Sequence, residues 1–482
     1  MNTTSTRKTW SFPHVVMLVM IVLSSLILAA CAGKRAVVQS PVTLPGAFTL
    51  TGTKSQPDQW WKALSDKKLN ALIDTALGGN FDLRIAWNRV DQSRAMADAA
   101  GAGTLPSVSA SGGLARMTSE SSPAGRVTAT NYSLGLAATY ELDLWGRVRS
   151  TRDAARIDLL STRENLQSAA ITVSGQVANT WYQLVGQRAQ IRLLDEQMVV
   201  NAKQLEIMEL RFGAGQVAAT SLLQQQRVVE SVKGERITAA SAAKVLEHQL
   251  AMLLGSTPGT IRIPENGGFP VIQDIPKTGI PAELVRRRPD VRTAELRVQS
   301  ADRRAAAAVA NQFPKISLSA STETSAGGVG QLFDSWLVNL AGNVTAPLFQ
   351  GGALRAEVRR TKAVVSEKVN TYGKVVLSAI EEVESALVRE SHQAAYVKNV
   401  DEQTRLARIA SEQKLDYYSK GTITFDSYLT TLLDLQRLQR TQVNARQGLV
   451  LYRIALHRAL AGRWNLERPL GVSVSATREG SK

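Results

Sequence analysis

Apolar residues recur along this chain with two different periods, and the switch between them divides it into elements. From residue 166 the spacing is four and three: Leu166, Ala170, Val173, Val177, Leu184, Ile191, Leu194, Met198, Leu205, Met208 and Phe212 form a seam, with Thr180, Gln187 and Asn201 in its remaining positions. A 3.5-residue period predicts a helix wound against a partner as a coiled coil. No proline interrupts residues 146–211, so at 1.5 Å per residue this helix would reach roughly 100 Å. No globular core is that long, so the helix must project. After a glycine-containing turn comes a second seam: Val229, Val232, Ala239, Ala243, Leu246, Leu250 and Leu253. Ahead of the long helix the period is two. In 132–144, Tyr132, Leu134, Leu136, Ala138, Tyr140, Leu142 and Leu144 share one face, with Ser133, Gly135, Thr139, Glu141 and Asp143 on the other. That alternation predicts a strand with one apolar face.

The whole plan then repeats. "LPSVSASGG" at 105–113 answers "FPKISLSAS" at 313–321, "RFGAGQVAATSLL" at 211–223 answers "YSKGTITFDSYL" at 418–429, and "AMLLG" ending at Gly255 answers "RALAG" ending at Gly462. All three shifts lie within two residues of 207. The long seam maps onto Tyr372, Val376, Ala379, Val383, Val397 and Val400, with Glu390 as a break. The second seam maps onto Leu435, Leu438, Ala445, Leu449, Tyr452, Leu456 and Ala459. Residues 336–348 set Trp336, Val338, Leu340, Val344, Ala346 and Leu348 against Asn339, Asn343 and Thr345, and the partner segments 107–116 and 315–324 alternate too. The expected organisation is a first repeat over 58–255, with a helix, strands at about 105–118 and 130–144, a long helix 146–211, a turn and a helix 218–254. A linker at 256–274 leads to a second repeat over 275–462, with a helix, strands at about 313–325 and 336–349, a long helix 352–418, a turn and a helix 425–461. A tail follows at 463–482.

Four alternating strands suit a soluble sandwich or a membrane barrel. Their length of about 10–13 residues is what a tilted membrane strand needs. The N-terminus points the same way. Arg7 and Lys8 precede an apolar run from Val15 to Ala30, which fits a secretory leader at 1–30 and is short for a membrane-spanning helix. Leu28-Ala29-Ala30-Cys31 matches a bacterial lipobox, and Cys31 is the single cysteine of the 482 residues. It is expected to carry an N-acyl diacylglycerol and to head a lipidated tail over 31–57. Two or three acyl chains, at about 0.8 kcal/mol per buried methylene, anchor a protein durably. Ala32 stands where aspartate would favour inner-membrane retention, so the sorting pattern points to the outer membrane.

Four strands cannot close a barrel, and an open edge in lipid leaves backbone groups unsatisfied. Closure must come from other chains; three copies give 12 strands and 12 helical strands, a continuous tube. The expected fold is therefore an internally duplicated α + β membrane protein. Each chain contributes four β-strands to a barrel that other copies close, 12-stranded for three copies, with the long coiled-coil helices projecting from it as a tube. The net charge of +16 falls to +14 without Arg7 and Lys8. A basic balance raises nucleic acid as a partner, but export from the cytoplasm argues against it. The densest basic run, Arg286-Arg287-Arg288, precedes Pro289 and Asp290 and reads as a solvated helix start.

With "DQWWKALSDKKLNALIDTAL" at 58–77, "ELDLWGR" at 141–147, "RRRPDVRTAELRV" at 286–298, "PLFQGG" at 347–352 and the two helical turns, nearly the whole mature chain resembles the outer-membrane factor family. The likeness is to the TolC and OprM type, in the NodT-like lipoprotein branch. The resemblance implies a homotrimeric channel-tunnel: a trimeric 12-stranded β-barrel in the cell outer membrane, with the long coiled-coil helices forming a periplasmic α-barrel as its extension. It implies docking through a periplasmic adaptor to an inner-membrane RND-type transporter, and passive conduction of drugs or other small toxic compounds. A type I protein-secretion duct of the same architecture is the alternative. A lipidated coiled-coil adaptor is a third reading, disfavoured by the paired strands ahead of each coil.

The resemblance further implies that the periplasmic tips, 212–223 and 417–434, close the pore. Three symmetry-related carboxylates at a constriction form a cation-attracting ring. Asp426 and Asp434 are read as the acids near the tips, Asp426 first, and Tyr418 matches the tyrosine of the family's closing network. An ungapped match puts the family's acidic ring positions on Ser427 and Thr430 and its Asp–Arg link on Ser221 and Ile423, so that link is missing. The other reading of Asp426 is a helix N-cap. No catalytic or metal-ligand constellation stands out: His14, His248, His392 and His457 are scattered, and Met96, Met117, Met198, Met208 and Met252 do not line a soft-metal path. No cofactor is expected beyond the lipid on Cys31.

Overall fold

The computed structural model describes residues 41–468 apart from 54, 122–124, 266 and 273. The leader at 1–30 and Cys31 lie outside the described residues. After a 3-10 turn at Trp60–Leu64 come α1 (Lys67–Gly79), α2 (Phe81–Ala102), β1 (Ser107–Ser121), β2 (Gly125–Leu142), α3 (Arg147–Gly213) and α4 (Ala219–Leu253). The second half runs α5 (Pro281–Arg287), α6 (Pro289–Ala310), β3 (Lys315–Ala326), β4 (Leu337–Thr345), α7 (Ala353–Ser419) and α8 (Phe425–Ala459). Both long helices have 67 residues, about 100 Å at the usual rise. Among the described residues no helix is long and apolar enough to cross a membrane.

One unit comprises residues 91–161 and 294–372 and holds the sheet. The order is β1-β2-β3-β4, antiparallel throughout, so β2 against β3 joins the two repeats. Directly opposed residues share a face. The register sets Val108 opposite Ala138, Leu114 opposite Tyr132, Tyr140 opposite Leu318, and Ala320 opposite Leu340. Where the four strands run side by side, most of the large apolar residues thereby share one face, while Ser109, Ser111, Gly135, Ser319, Ser321 and Asn343 fall on the other with Leu337. Leu136, Val338, Leu340 and Val344 on the apolar face are exposed. β1 and β4 form the sheet's edges, with no further strand beside them among the described residues.

"ELDLWGR" builds the corner from β2 into α3. The Asp143 carboxylate accepts hydrogen bonds from the Val148 and Arg149 amides at 3.0 and 2.8 Å, satisfying orphan donors of the first turn. Gly146 takes φ +74°, and Arg147 grips Glu141 with two bonds of 2.9 and 2.6 Å. Trp145 donates to the Pro314 carbonyl at 2.7 Å and stacks on Phe313, tying this corner to the start of β3. β4 ends at Thr345, short of the expected 349. Pro347 has no amide for the ladder, and Gly351 and Gly352 at positive φ turn the chain toward α7. The β1–β2 ribbon is longer than expected, reaching Ser121 and Gly125.

The other unit comprises residues 42–90, 162–293 and 373–468. Seam residues Leu166, Ala170, Val173, Val177, Leu184, Leu194 and Met208 are buried, as are Val376, Ala379, Val383 and Val400. Phe212, placed at the end of the seam, is instead exposed. The break at Glu390 is a buried ion pair: its Oε1 accepts from Arg453 Nε at 2.9 Å and Nη2 at 2.5 Å, with both side chains at most 6% exposed. The seam polar residue Asn201 is fully buried and donates to the Gln197 carbonyl and to Gln436.

Asp66 caps α1 through the Lys68 and Leu69 amides, and its second oxygen accepts from Trp181 and the Tyr182 hydroxyl. In place of the single helix expected ahead of the first strand pair, α1 and α2 are split at Asn80. Its side chain caps α2 and reaches the Leu253 carbonyl. The second copy breaks likewise before Pro289. The basic run is only partly the solvated helix start expected of it. Arg286 and Arg287 are exposed, but Arg288 is buried, bonded to Asp290, Glu382 and the Ala459 carbonyl. A buried guanidinium is tolerated because all of its nitrogens have partners.

Candidate functional site: the paired helical turns

The two helix-to-helix turns have the same chemistry 206 residues apart. In the first, Ala214, Gly215 and Gln216 donate to the carbonyls of Leu210, Phe212 and Arg211; in the second, Lys420, Gly421 and Thr422 donate to Asp416, Tyr418 and Tyr417. Gly215 and Gly421 both take the left-handed conformation, φ +72° and +75°, which favours glycine at a helix C-terminus.

One apolar cluster binds the turns together: Met208, Val228, Tyr418, Phe425, Tyr428, Leu429 and Leu432, with Val217, Leu222 and Ile423 against it. Tyr418 is its hinge. Its ring stacks on Tyr428 at 5.9 Å between centroids and tilts against Phe425 at 5.5 Å. Its hydroxyl accepts from Arg211 Nη1 at 2.7 Å, and the guanidinium lies 4.8 Å from the ring centroid. Burial, with Tyr418 beside it, pushes the Tyr428 hydroxyl up, so Tyr428 stays neutral. Ile423, where the family's closing link would place a charge, is part of this apolar packing, and Ser221 lies in the first turn of α4. The tie to Tyr418 therefore runs from Arg211 of the same chain. Sequence reading missed Arg211, whose repeat counterpart is Tyr417, so the duplication gave no signal for it.

The two acids stand outside the cluster. Asp426 is exposed in the first turn of α8, and its carboxylate has no hydrogen bond or ion pair among the described residues. It is not the N-cap. Thr424 holds that position, extended at φ −74° and ψ 156°, and its hydroxyl accepts from the Ser427 amide. A threonine two residues earlier can reach that amide, whereas Asp426 is already inside the helix. Asp434, eight residues on and about 12 Å along the axis, is exposed and pairs with Arg437 at 3.6 Å. A ring built from Asp434 would thus carry its own counter-charges. Asp416 also belongs among the tip acids; it pairs with Lys420 at 2.6 Å, a spacing of four already visible in the sequence.

A family model described as outer membrane efflux protein matches the chain twice, over residues 72–256 and 280–462. The chain belongs to the outer membrane efflux protein family. Among curated relatives, the pyoverdine export outer membrane protein OpmQ of Pseudomonas putida is 30% identical over 461 residues, covering 92% of this chain and 97% of OpmQ. The solvent efflux pump outer membrane protein SrpC of the same species is 30% identical over 421 residues, covering 84% and 87%. Among solved structures, the outer-membrane channel OprN superposes with a TM-score of 0.83 at 25% identity, covering 88% of this chain and 98% of that one. As a family member the chain is a non-enzymatic outer-membrane efflux channel with a periplasmic tunnel. It forms a homotrimer in which four strands per chain build the barrel, and it works with adaptor and inner-membrane transporter proteins.

Proposed function

We propose that this outer membrane efflux protein is the passive exit duct of an RND-type pump that expels small toxic organic compounds, held to the outer membrane by an acylated Cys31 as well as by its barrel. The observation that carries the reading is the sheet. Where all four strands pair it has one largely apolar face, an opposite face of mostly small and polar residues, and two open edges, which suits a wet lumen only once other copies close it. Relatives named for solvent and pyoverdine export support an organic cargo. Tyr418, Asp426 and Asp434 serve the periplasmic closure in this reading: Tyr418 through packing, Asp426 as the free carboxylate.

Deleting the gene should raise cellular accumulation of a fluorescent hydrophobic dye, and restoring it should reverse the effect. Unchanged accumulation together with loss of a secreted polypeptide would assign the duct to type I secretion instead. Cys31→Ser should abolish palmitate incorporation; persisting label on that variant would refute the lipid anchor.

A further inference from the structure

The β1–β2 ribbon outgrows the rest of the sheet. β3 pairs with β2 only between Tyr132 and Leu142, yet β1 and β2 continue to pair with each other from Ala115–Asn131 to Ser121–Gly125, seven further residue pairs. The span from Tyr132 to Leu142 is about 33 Å along the strand, or about 25 Å along a barrel axis at a tilt near 40°, the usual height of an outer-membrane apolar band. The overhang, a further 20 Å or so of strand, therefore begins where that band ends. It also lies on the outer side, since both strands meet the helices at their opposite ends.

At that boundary the pattern inverts. Below it the outward face carries Val108, Ala110, Leu114, Tyr132, Leu134 and Leu136, and the lumen face carries small and polar residues. Above it the outward face becomes Arg116, Thr118, Glu120, Arg126, Thr128 and Thr130, while the lumen face carries the apolar Ala115, Met117, Val127 and Ala129 beside Ser119, Ser121 and Asn131. The register is continuous across the boundary, so no slip accounts for the change. Met117 is 73% and Val127 58% exposed within the single chain. A two-stranded ribbon is marginal in water, and one with Met117 and Val127 bare on the same face gains stability by covering them.

We propose that the three overhanging ribbons of the trimer bend over the outer mouth of the barrel and pack their Met117–Val127 faces against one another, forming an apolar constriction at the exit. The occupant is a second copy of the same ribbon because the overhang continues β1, the edge strand through which neighbouring chains close the barrel. Lipid is a poor occupant, since the face turned toward it is polar and charged. The reach suffices: strands about 4.8 Å apart and tilted near 40° close a 12-stranded barrel at a radius of about 12 Å, shorter than the overhang. An apolar constriction of this kind resists water and ions until it parts.

The inference rests on the trimeric barrel, and the test separates the two. Met117→Cys and Thr118→Cys, adjacent residues on opposite faces, are compared in the full-length protein in outer membranes, with the unsubstituted chain as the control for Cys31. Under mild oxidation Met117→Cys should be captured as a covalent dimer and Thr118→Cys should not. An impermeant maleimide added to cells should label Thr118→Cys and spare Met117→Cys, until Val127→Asp is added and breaks the apolar packing. An intact trimer in which Met117→Cys links no better than Thr118→Cys overturns the proposal. A Met117→Cys that fails to link and is nonetheless spared by the maleimide lies against lipid, which overturns the proposal as well. Loss of the trimer in the unsubstituted protein would strike the assembly itself.

Discussion

Removing the carboxylate of Glu390 tests how the second copy of the long seam tolerates a charge. Glu390 and Arg453 lie between α7 and α8, 4% and 6% exposed at their side chains, and a single oxygen, Oε1, takes both guanidinium bonds. Breaking a buried pair from one side leaves an uncompensated charge and costs about 3–5 kcal/mol. Arg453 keeps the Asp274 carbonyl at 3.3 Å, so Glu390→Ala should fall near the lower end, about 3 kcal/mol. Replacing both partners by apolar residues removes the stranded charge. Glu390→Leu with Arg453→Met should therefore be close to neutral or stabilising, because position 390 is a seam position flanked by the buried Leu387 and Val383. Thermal dissociation of the detergent-solubilised trimer, followed by gel mobility and circular dichroism, reads the three variants side by side. A double variant no better than Glu390→Ala would refute the reasoning, since the loss would then stem from something other than the guanidinium's missing carboxylate.

Burial and the neighbouring Arg453 charge hold His457 far below its ordinary range, at about 3. The unfolded chain binds this proton near pH 6.5, so stability is full above that pH and falls as pH drops toward 3, by about 2 kcal/mol at pH 5; His457→Gln should flatten the acid limb of a stability–pH curve. Asp426→Ala should weaken cation selectivity of the closed channel in planar bilayers with a stability change below about 0.5 kcal/mol, because Thr424 is the cap; Thr424→Ala should show the reverse, about 1 kcal/mol lost and selectivity kept. Equal selectivity in Asp426→Ala and the parent would remove Asp426 from the pore. Tyr418→Phe deletes the bond from Arg211 while keeping the stacked rings, and should raise closed-state conductance with little change in trimer yield; unchanged conductance would show that packing alone holds the tip.

The sequence by itself determined the architecture. Period 3.5 and period 2 are properties of local geometry, so the seams and alternations located the long helices and the strands without reference to any contact, and a repeat of about 207 residues made each copy a check on the other. The lengths forced the rest: a seam too long for a globular core must project, and four strands need other chains to close.

What pattern cannot encode is partnership between distant side chains. Glu390 looked like a flaw until α8 brought Arg453 to it, and Arg288 looked solvated until Asp290, Glu382 and the Ala459 carbonyl surrounded it. Asp426 was open to two readings because cap position depends on backbone dihedrals, and only the fold gave the cap to Thr424. Arg211 carried no signal, since its role comes from lying 207 residues away from the tyrosine it holds. The overhang of β1 and β2 went unnoticed for a related reason. Alternation marks a strand, but only the register against β3 shows where the sheet stops and which face the apolar residues then occupy.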